Sequence, residues 1–370
     1  MSPTTRSHNS PTKPVIELPT SLPSSAPSTT SSSSTLPSDS KSSPHTSISE
    51  NGKPTLAILG TGWAGWTLAQ DLGHSSSFLQ QYNLVVLSPT RTMALTPLLA
   101  SAATGIFDFR IAEEPIRRLS LGKDVVKYQV WCTGVDVEKR VVRCRAAVGS
   151  NGREKTNSGL KEHSDGDGED GNGEFEVGYD KLILAPGSEV NTFDTLGVKE
   201  HCLFMKSVAG AMALRERILD CFELASLPTC SVEQKRKILH FMIVGGGPTG
   251  VELAAEIDEL VQDHGFESGV MKVKEDGEVS FGAAVWCTGN KAGSVVEGLE
   301  VRKNEAGQRL LTDKWLRLLR KGEDNEVVDG VYALGDAADI EGGELPTTAE
   351  VAVQKAKWLA KHLVAGEEGK

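Results

Sequence analysis

The sequence predicts an α/β protein built from two dinucleotide-binding, Rossmann-like domains, of which the second is shortened. Three observations support this prediction. Two glycine-rich turns, GTGWAG at 60–65 and GGGPTG at 245–250, each follow an apolar strand and precede a helical pattern. Further apolar strands alternate with helical segments around them. The interval from Gly250 to Trp286 is too short for a complete second domain.

The glycine turns have the features of phosphate-binding sites. Glycines permit a tight turn, the approach of a pyrophosphate to the backbone, and close packing of helix on strand. The helix N-terminus adds unpaired N–H groups and a positive dipole. One such turn is weak evidence. Two turns in the same context indicate that one chain holds a flavin dinucleotide and a nicotinamide dinucleotide, as FAD/NAD(P)-linked reductases do, with electron transfer between them.

Composition and charge exclude several classes of function. The 370 residues suit about two domains. The net charge of −11 comes from interspersed acidic and basic residues, which argues against a nucleic-acid partner because that surface needs a basic stripe. The six cysteines lack CxxC and metal-ligand spacing, so we expect free thiols and no metal. No cysteine lies between the first glycine turn and Gly105, so the CxxxxC redox pair of disulfide reductases is missing.

The N-terminal residues 1–53 are rich in Ser, Thr and Pro and are predicted to be a disordered tail. Their few cations make a poor mitochondrial presequence. No run of about 18 apolar residues predicts a transmembrane helix anywhere in the chain. The folded part is therefore expected to begin at residue 54.

A βαβ unit opens the first domain, with strands at 56–59 and 82–87 and a helix at 66–72. An acidic residue usually ends the second strand and holds the adenosine ribose. Ser88 stands there instead and can donate one hydrogen bond, although an ordinary turn is an equal alternative. A later strand at 181–184 runs into Ala-Pro-Gly at 185–187, which lets the chain pass close to a nucleotide.

Two segments between the glycine turns are interpreted as structural. The acidic, glycine-rich stretch at 148–176 lacks the Gly and Glu that a calcium loop needs at its sixth and twelfth positions, which favours a solvated surface loop. Residues 204–227 show the apolar spacing of an amphipathic helix, which we expect to pack on the first domain. The apolar residues of this helix are Ala211, Leu214, Ile218, Cys221 and Ala225.

The second domain begins with a strand at 238–244 and a helix at about 249–262. Residues 270–275 and 278–281 then flank Asp-Gly, which predicts a hairpin rather than the parallel strand with a terminal acidic residue that would hold the ribose of NADH. Four acidic residues share one face of the helix and predict a solvated stripe. They are Glu252, Glu256, Glu259 and Asp263.

Collinear segments of the chain resemble type II (alternative) NADH:ubiquinone oxidoreductases of fungal mitochondria. The resemblance spans about residues 55–363. It implies a respiratory-chain flavoprotein in which NADH passes a hydride to FAD and electrons continue to a quinone, without proton pumping. It also implies a mitochondrial location, with the cytoplasm as the alternative, and suggests a homodimer. The segments are GTGWAGWTLAQDL, SPTRTMALTPLLASAATG, YDKLILAPGSEVNTF, FMIVGGGPTGVELAAEI, VWCTGNKAG, VYALGDAAD and LPTTAEVAVQKAKWLAKHL.

The resemblance also implies a role for each candidate site residue. Asp336 would bond the ribityl chain of FAD, Glu252 would lie near the nicotinamide as a catalytic residue, and Gln354 would lie beside the flavin ring and the quinone entrance. Glu350 stands where relatives commonly carry glutamine, which adds a charge there. The FAD side would include Gly60, Gly62, Gly65, Ser88, Thr96, Pro97 and Gly187. The NADH side would include Gly245, Gly247, Gly250 and Gly289.

The expected organisation follows from the motifs and the resemblance. The tail at 1–53 precedes a first FAD-binding part at 54–237, a shortened NADH-binding domain at 238–285, a second FAD-binding part at 286–364, and a tail at 365–370. Relatives continue into a domain that shapes the quinone site and contacts the membrane peripherally. The chain ends at Lys370, so we expect no stable membrane attachment and weak quinone turnover.

Two alternatives stay open at this point. A soluble NAD(P)H oxidoreductase of the apoptosis-inducing-factor-like group would suit the missing membrane domain, although the NKAG and LPTTAEVAVQ segments fit it less well. A non-catalytic remnant of the family would suit the short interval after Asp263. Bound flavin that NADH reduces would distinguish a working reductase from the remnant.

Overall fold

The computed structural model describes residues 45–46, 52–117, 125–147, 174–263, 280–322 and 326–366. Every described residue belongs to one compact unit, Ser43–Lys370. Most of the predicted tail, the acidic loop and almost all of the predicted hairpin at 270–281 lie outside the described residues. Among the described residues, no helix is long and apolar enough to cross a membrane.

Most strands of the described residues belong to one eleven-stranded sheet, in the order β1-β8-β7-β6-β3-β2-β9-β17-β16-β15-β18. A three-stranded sheet has the order β11-β13-β12, and two further pairs are β4-β5 and β10-β14. In chain order the strands are β1 His45–Thr46, β2 Thr55–Leu59, β3 Asn83–Ser88, β4 Thr92–Ala94, β5 Glu113–Pro115, β6 Val125–Asp136, β7 Val141–Ala146, β8 Glu174–Gly178, β9 Lys181–Leu184, β10 Glu189–Val190, β11 Leu203–Phe204, β12 Phe241–Val244, β13 Ala283–Trp286, β14 Asn290–Lys291, β15 Leu310–Thr312, β16 Arg317–Leu319, β17 Val327–Ala333 and β18 Ala338–Ile340.

Helices cover both sheets. The α-helices are α1 Trp63–Gly73, α2 Ser76–Gln81, α3 Leu99–Thr104, α4 Val198–His201, α5 Val208–Ser226, α6 Val232–Ile238, α7 Pro248–Asp263, α8 Ser294–Glu297 and α9 Ala349–Ala365. Short 3-10 helices lie at Thr96–Leu98, Phe109–Ile111 and Gly335–Ala337.

The centre of the large sheet is parallel: β2 pairs with β3 on one side and with β9 on the other, and β9 pairs with β17. Leu56, Ala57 and Ile58 of β2 are fully buried, as expected for a parallel strand covered on both faces. Residues of α1 and α9 pack on one face, including Leu68 and Leu359. The predicted α/β fold is confirmed.

The second sheet is smaller and less enclosed. Its strands are parallel, with β13 in the middle, buried at all four positions, and β12 only half-buried. The amphipathic helix predicted at 204–227 is α5, and all five of its predicted apolar residues are buried. Three of them, Ala211, Leu214 and Ile218, pack in one cluster with residues of α3, α7 and β13, so α5 covers the second sheet as well as the first domain. Because β11 supplies a strand, this sheet begins before the predicted boundary at 238.

Two short strands lie in the segments that connect the large sheet with the three-stranded sheet. Glu189–Val190 (β10) leads the chain out of the large sheet, and Asn290–Lys291 (β14) leads it back. The two strands pair antiparallel, with Glu189 opposite Lys291 and Val190 opposite Asn290. The Trp286 indole Nε1 donates to the Asn191 carbonyl oxygen at 3.0 Å. The two connecting segments are thus held together by the pairing of β10 with β14 and by the Trp286–Asn191 hydrogen bond.

Candidate nucleotide-binding site

The first glycine turn lies where three parallel strands end. The Gly60 N–H donates to the Leu87 carbonyl oxygen at 2.8 Å, and Gly60 has φ +99°. A β-carbon there would lie 2.1 Å from the Ala185 carbonyl oxygen, so only glycine lets β2, β3 and β9 converge. A β-carbon on Gly65 would lie 2.1 Å from the Gly60 oxygen, which brings α1 close against the turn.

The middle glycine of this turn faces open space. A β-carbon on Gly62 would have no heavy atom within 4 Å. Gly62 is the N-cap of α1, and no side chain caps that helix. The first N–H groups of a helix have no partner within it, so these donors point toward the open side of the turn. This is the geometry expected of a pyrophosphate cradle.

Ser88, which the sequence predicts to contact a ribose, belongs to a line of hydroxyls beside the turn. It is 5% exposed. Its Oγ shares a hydrogen bond with Thr61 Oγ1 at 2.7 Å and another with Thr90 Oγ1 at 3.2 Å. Thr90, which sequence reasoning missed, is the exposed end of this line. A ribose hydroxyl approaching the end of β3 would therefore meet Thr90 before Ser88.

Asp336 lies beside the first turn although it is distant in sequence. It belongs to the short helix Gly335–Ala337 that follows β17. A β-carbon on Gly335 would lie 3.1 Å from the Ala64 β-carbon of α1, which shows how closely the two elements pack. Asp336 is half-buried, and its Oδ2 accepts from Ser188 Oγ at 3.4 Å. Gly187, the residue before Ser188, has open space around it.

Sequence reasoning did not find Lys206, which connects the two halves at this point. Its Nζ donates to Ser188 Oγ at 2.9 Å and to Asn290 Oδ1 at 2.8 Å. Ser188 adjoins β10 and Asn290 begins β14. One ammonium group thus contacts both segments that cross between the sheets and, through Ser188, reaches Asp336. A single lysine after an apolar pair carries no periodic signal that would have revealed this role.

The second glycine turn is built in the same way. Gly245 has φ +127°, and a β-carbon there would lie 2.9 Å from the Cys287 carbonyl oxygen. A β-carbon on Gly247 would meet nothing within 4 Å, and one on Gly250 would lie 2.1 Å from the Gly245 oxygen. Gly289 packs against the Asn191 carbonyl oxygen, 2.7 Å from an added β-carbon. The middle glycine of this turn therefore faces open space, whereas the first and last glycines pack too closely against backbone atoms to accept a side chain.

A cysteine thiol borders this second turn. An added β-carbon on Gly250 would lie 3.5 Å from the Cys287 β-carbon. Burial raises the pKa of the Cys287 thiol to about 11. The thiol is therefore protonated and uncharged near neutral pH.

The acidic face of α7 is not uniformly solvated, so that prediction was wrong at one position. Glu252 is exposed, but Glu256 is half-buried. Glu256 Oε1 accepts from Ser101 Oγ at 2.7 Å, and its Oε2 accepts from Thr104 Oγ1 at 3.5 Å. The reason is that Leu253, one turn earlier, is buried against the cluster shared with α3. Positions three apart share a helix face, so Glu256 reaches α3.

The predicted flavin and quinone residues lie on exposed surface near α1 and α9. Thr96 Oγ1 accepts from Trp63 Nε1 at 3.0 Å, and Pro97 is exposed. Gln354 Nε2 donates to Glu350 Oε1 at 2.7 Å. The helix α9 packs on α1 and on the short helix that carries Asp336. The structure thus brings the helices of Gln354 and Asp336 and the first glycine turn together, whereas Glu252 belongs to the second turn.

Comparisons with known proteins agree with this geometry. The family model described as "Pyridine nucleotide-disulphide oxidoreductase" matches residues 54–267. The external alternative NAD(P)H-ubiquinone oxidoreductase B1, mitochondrial, of Solanum tuberosum is 34% identical over 354 aligned positions, which cover 79% of this chain and 56% of the relative. The internal alternative NAD(P)H-ubiquinone oxidoreductase A1, mitochondrial, of the same plant is 30% identical and covers 86% and 70%.

The chain spans a little over half the length of the first of these relatives. The alignment has 354 positions, which is more than the 79% of this 370-residue chain that it covers. The relative therefore contains segments, within the aligned region, that have no counterpart in this chain. Among solved structures, NDH2 from Plasmodium falciparum in complex with NADH has a TM-score of 0.68 at 19% identity, covering 84% of this chain and 83% of that one. The likeness shows a common fold.

Proposed function

The chain belongs to the pyridine nucleotide-disulphide oxidoreductase family, and within it to the alternative (type II) NAD(P)H-ubiquinone oxidoreductases. From this membership we propose that it is a flavin-dependent NADH dehydrogenase that passes electrons from NADH through FAD to a quinone. One observation carries the proposal. The open cradle at Gly62 and the carboxylate of Asp336, distant in sequence, lie on contacting elements of one site. That is the arrangement a flavin dinucleotide requires at its phosphates and its sugar chain.

The residues of the first half fit FAD. The backbone N–H groups after Gly62 would bind the pyrophosphate, and Asp336 would accept hydrogen bonds from hydroxyl groups of the ribityl chain. Thr96 and Pro97, exposed near Trp63, would border the ring. When bound, FAD supplies the hydride acceptor and the electron donor of the reaction, and the protein's part is to position and shield it.

The second turn would hold the phosphates of NADH through Gly245, Gly247 and Gly250. Its open middle is the same feature that supports FAD at the first turn. The exposed Glu252 on α7 is proposed to contact the nicotinamide end, and Gln354 the ring of the flavin and an entering quinone. Both side chains are exposed, and that of Gln354 donates to Glu350.

The acceptor and the location come from the relatives' names. Curated relatives are called mitochondrial NAD(P)H-ubiquinone oxidoreductases, and from them we infer a quinone acceptor and a mitochondrial site of action for this chain. The chain covers 56% of the first relative's length. The fungal type, the homodimer and the peripheral membrane contact stay predictions.

One observation favours a second candidate, a non-catalytic remnant of the family. The helix α7 ends at Asp263 and β13 begins at Ala283. A complete further βαβ unit takes roughly 30 or more residues, which is longer than this interval and favours an incomplete site for the adenosine of NADH. In that case FAD would bind weakly or not at all.

Anaerobic titration of the purified protein tests the proposal. Bound flavin is detected by its visible absorbance, and NADH is then added without oxygen. Bleaching of the flavin is the expected result, and its re-oxidation by a soluble quinone identifies the acceptor. A yellow protein that re-oxidises only with a dye would favour the soluble reductase alternative. A colourless protein that does not respond to NADH or to added FAD would favour the non-catalytic remnant and contradict the proposal.

A further inference from the structure

Two cysteines face each other across neighbouring strands of the large sheet. The strands β6 and β7 are antiparallel, and Cys132 lies directly opposite Cys144. A register shift follows between Cys132 and Gly134. The two cysteines are therefore the last directly opposed pair before this irregularity.

The hydrogen-bond register identifies the type of pair. The Ala147 N–H donates to the Gln129 carbonyl oxygen at 3.0 Å, so these opposed residues form a hydrogen-bonded pair. Such pairs alternate with non-hydrogen-bonded pairs along an antiparallel ladder. From Gln129 and Ala147, the next pair, Val130 and Ala146, is non-hydrogen-bonded, and Trp131 and Arg145 form a hydrogen-bonded pair. Cys132 and Cys144 therefore form a non-hydrogen-bonded pair. Non-hydrogen-bonded pairs bring their Cα atoms to about 4.5 Å, within the range of about 4.4 to 6.8 Å that disulfides span.

The surroundings give the two thiols different exposure. Cys144 is 1% exposed, whereas Cys132 is half-buried, and both pack on the same face with Val130, Val142 and Tyr128. Contact with the Cys144 thiol, together with burial, raises the pKa of Cys132. A raised pKa lowers the thiolate fraction and slows attack on a disulfide. Oxidation at this pair is therefore slow and begins at Cys132, the more accessible sulfur.

We propose that Cys132 and Cys144 form a redox-active dithiol that small-molecule disulfides, such as glutathione disulfide, convert to a cross-strand disulfide. The Cys132 thiol loses its proton and attacks one sulfur of glutathione disulfide, which releases one glutathione. The Cys144 sulfur, on losing its proton, displaces the second glutathione from Cys132. Two protein thiols are oxidised by two electrons, one disulfide is reduced to two glutathione thiols, and the two protons end on those thiols. Excess glutathione reverses the reaction through the same sulfur of Cys132.

Mapping of thiols on the full chain tests this inference without reference to nucleotide binding. The protein is held with glutathione disulfide, alkylated, and digested with trypsin without reductant. The expected product is peptide 128–139 joined to peptide 144–145, with loss of two hydrogen atoms, and it disappears after treatment with excess glutathione. The Cys230→Ser variant should give the same product, because Cys230 lies in another part of the chain.

Three results would overturn the inference. They are six alkylated cysteines after prolonged incubation, glutathione retained on Cys132 as a stable mixed disulfide, and a cross-link that joins either cysteine to another partner. Cys144→Ala supplies a further measurement that does not depend on the wild-type product. In that variant Cys132 should accumulate glutathione, because the resolving thiol is gone, and an unmodified Cys132 would contradict the assigned order of attack.

Discussion

At each of the two glycine turns, a β-carbon on the last glycine would lie 2.1 Å from the carbonyl oxygen of the first. In each, the first glycine has a positive φ, +99° at Gly60 and +127° at Gly245. In each, the middle position at Gly62 or Gly247 is open. The backbone of a phosphate turn is therefore reproduced twice by short, local sequence.

The surroundings of the two turns differ. The first turn lies between β3 and β9, both largely buried, and beside Asp336. The second follows β12, which is half-buried and, among the described residues, pairs only with β13. The turn supplies phosphate contacts, but the strands beside it must hold the sugar and the base. Among the described residues, the first turn therefore has more neighbouring structure than the second.

Valine at the middle glycines is the strongest test of this comparison. Gly62→Val should weaken the affinity for flavin by about a hundredfold, or about 2.7 kcal/mol, because the side chain fills the space that the pyrophosphate needs. Gly247→Val is the matched variant and should keep the flavin while losing its bleaching by NADH. Absorbance spectra and anaerobic titration measure both effects.

A folding control and two possible results decide whether these predictions hold. Circular dichroism should show that both remain folded, since neither added side chain meets a heavy atom at its β-carbon. Normal flavin in Gly62→Val would remove the first turn from the flavin site. Normal bleaching in Gly247→Val would remove the second turn from the NADH site.

Removal of the carboxylate at Asp336 should have the next largest effect. Asp336→Ala should weaken flavin binding by about 1.5 to 3 kcal/mol, the value of a hydrogen bond to a charged group. Equilibrium dialysis of FAD measures the loss. Asp329→Ala is the control, because Asp329 lies on β17, is 89% exposed, and forms a surface ion pair with Arg140. Equal affinities for the two variants would contradict a role for Asp336.

Lys206 tests how the two halves are joined. Lys206→Met removes the donor to Ser188 and Asn290 and should slow bleaching by NADH about tenfold, or about 1.4 kcal/mol, while most of the flavin stays bound. Stopped-flow absorbance measures the rate. Lys291→Met is the control, since Lys291 lies on β14 in a surface pair with Glu189 at 3.6 Å. A similar loss in both variants would point to general disturbance of the crossing strands.

The last prediction concerns the thiol at the second turn. Because burial raises the pKa of Cys287 to about 11, its thiolate fraction at pH 7 is about a hundredfold below that of a thiol at the ordinary pKa of 9.0. Alkylation by iodoacetamide should be slow at pH 7 and rise through pH 10, and NAD⁺ should protect the thiol. The same cysteine in urea provides the reference rate. Rapid labelling at pH 7, unaffected by NAD⁺, would contradict both statements.

Local sequence was sufficient for the elements that depend on periodicity and on turn chemistry. The strand-turn-helix pattern predicted both glycine turns, because spaced glycines after an apolar run permit a tight turn from strand to helix. The helix around Leu214 and Ile218 was predicted because its apolar spacing matches the turn of an α-helix, and both residues are buried. These features depend on neighbours a few positions away.

Contacts between distant segments could not be predicted in this way. Glu256 bonds Ser101 across 155 positions, and Lys206 meets Asn290 across 84. The two-residue strand Leu203–Phe204 is too short to show a period. Nothing in the type or the local spacing of these residues indicates which distant residue each one contacts.

The sequence by itself therefore determined the kind of fold, the two phosphate turns and the family. Tertiary structure alone decided which side chains meet: Asp336 beside the first turn, Lys206 between the crossing strands, and Cys132 opposite Cys144. The physical reason is that backbone conformation depends on local sterics and periodicity, whereas contacts between distant residues depend on strand order and register, which form only when the whole sheet packs.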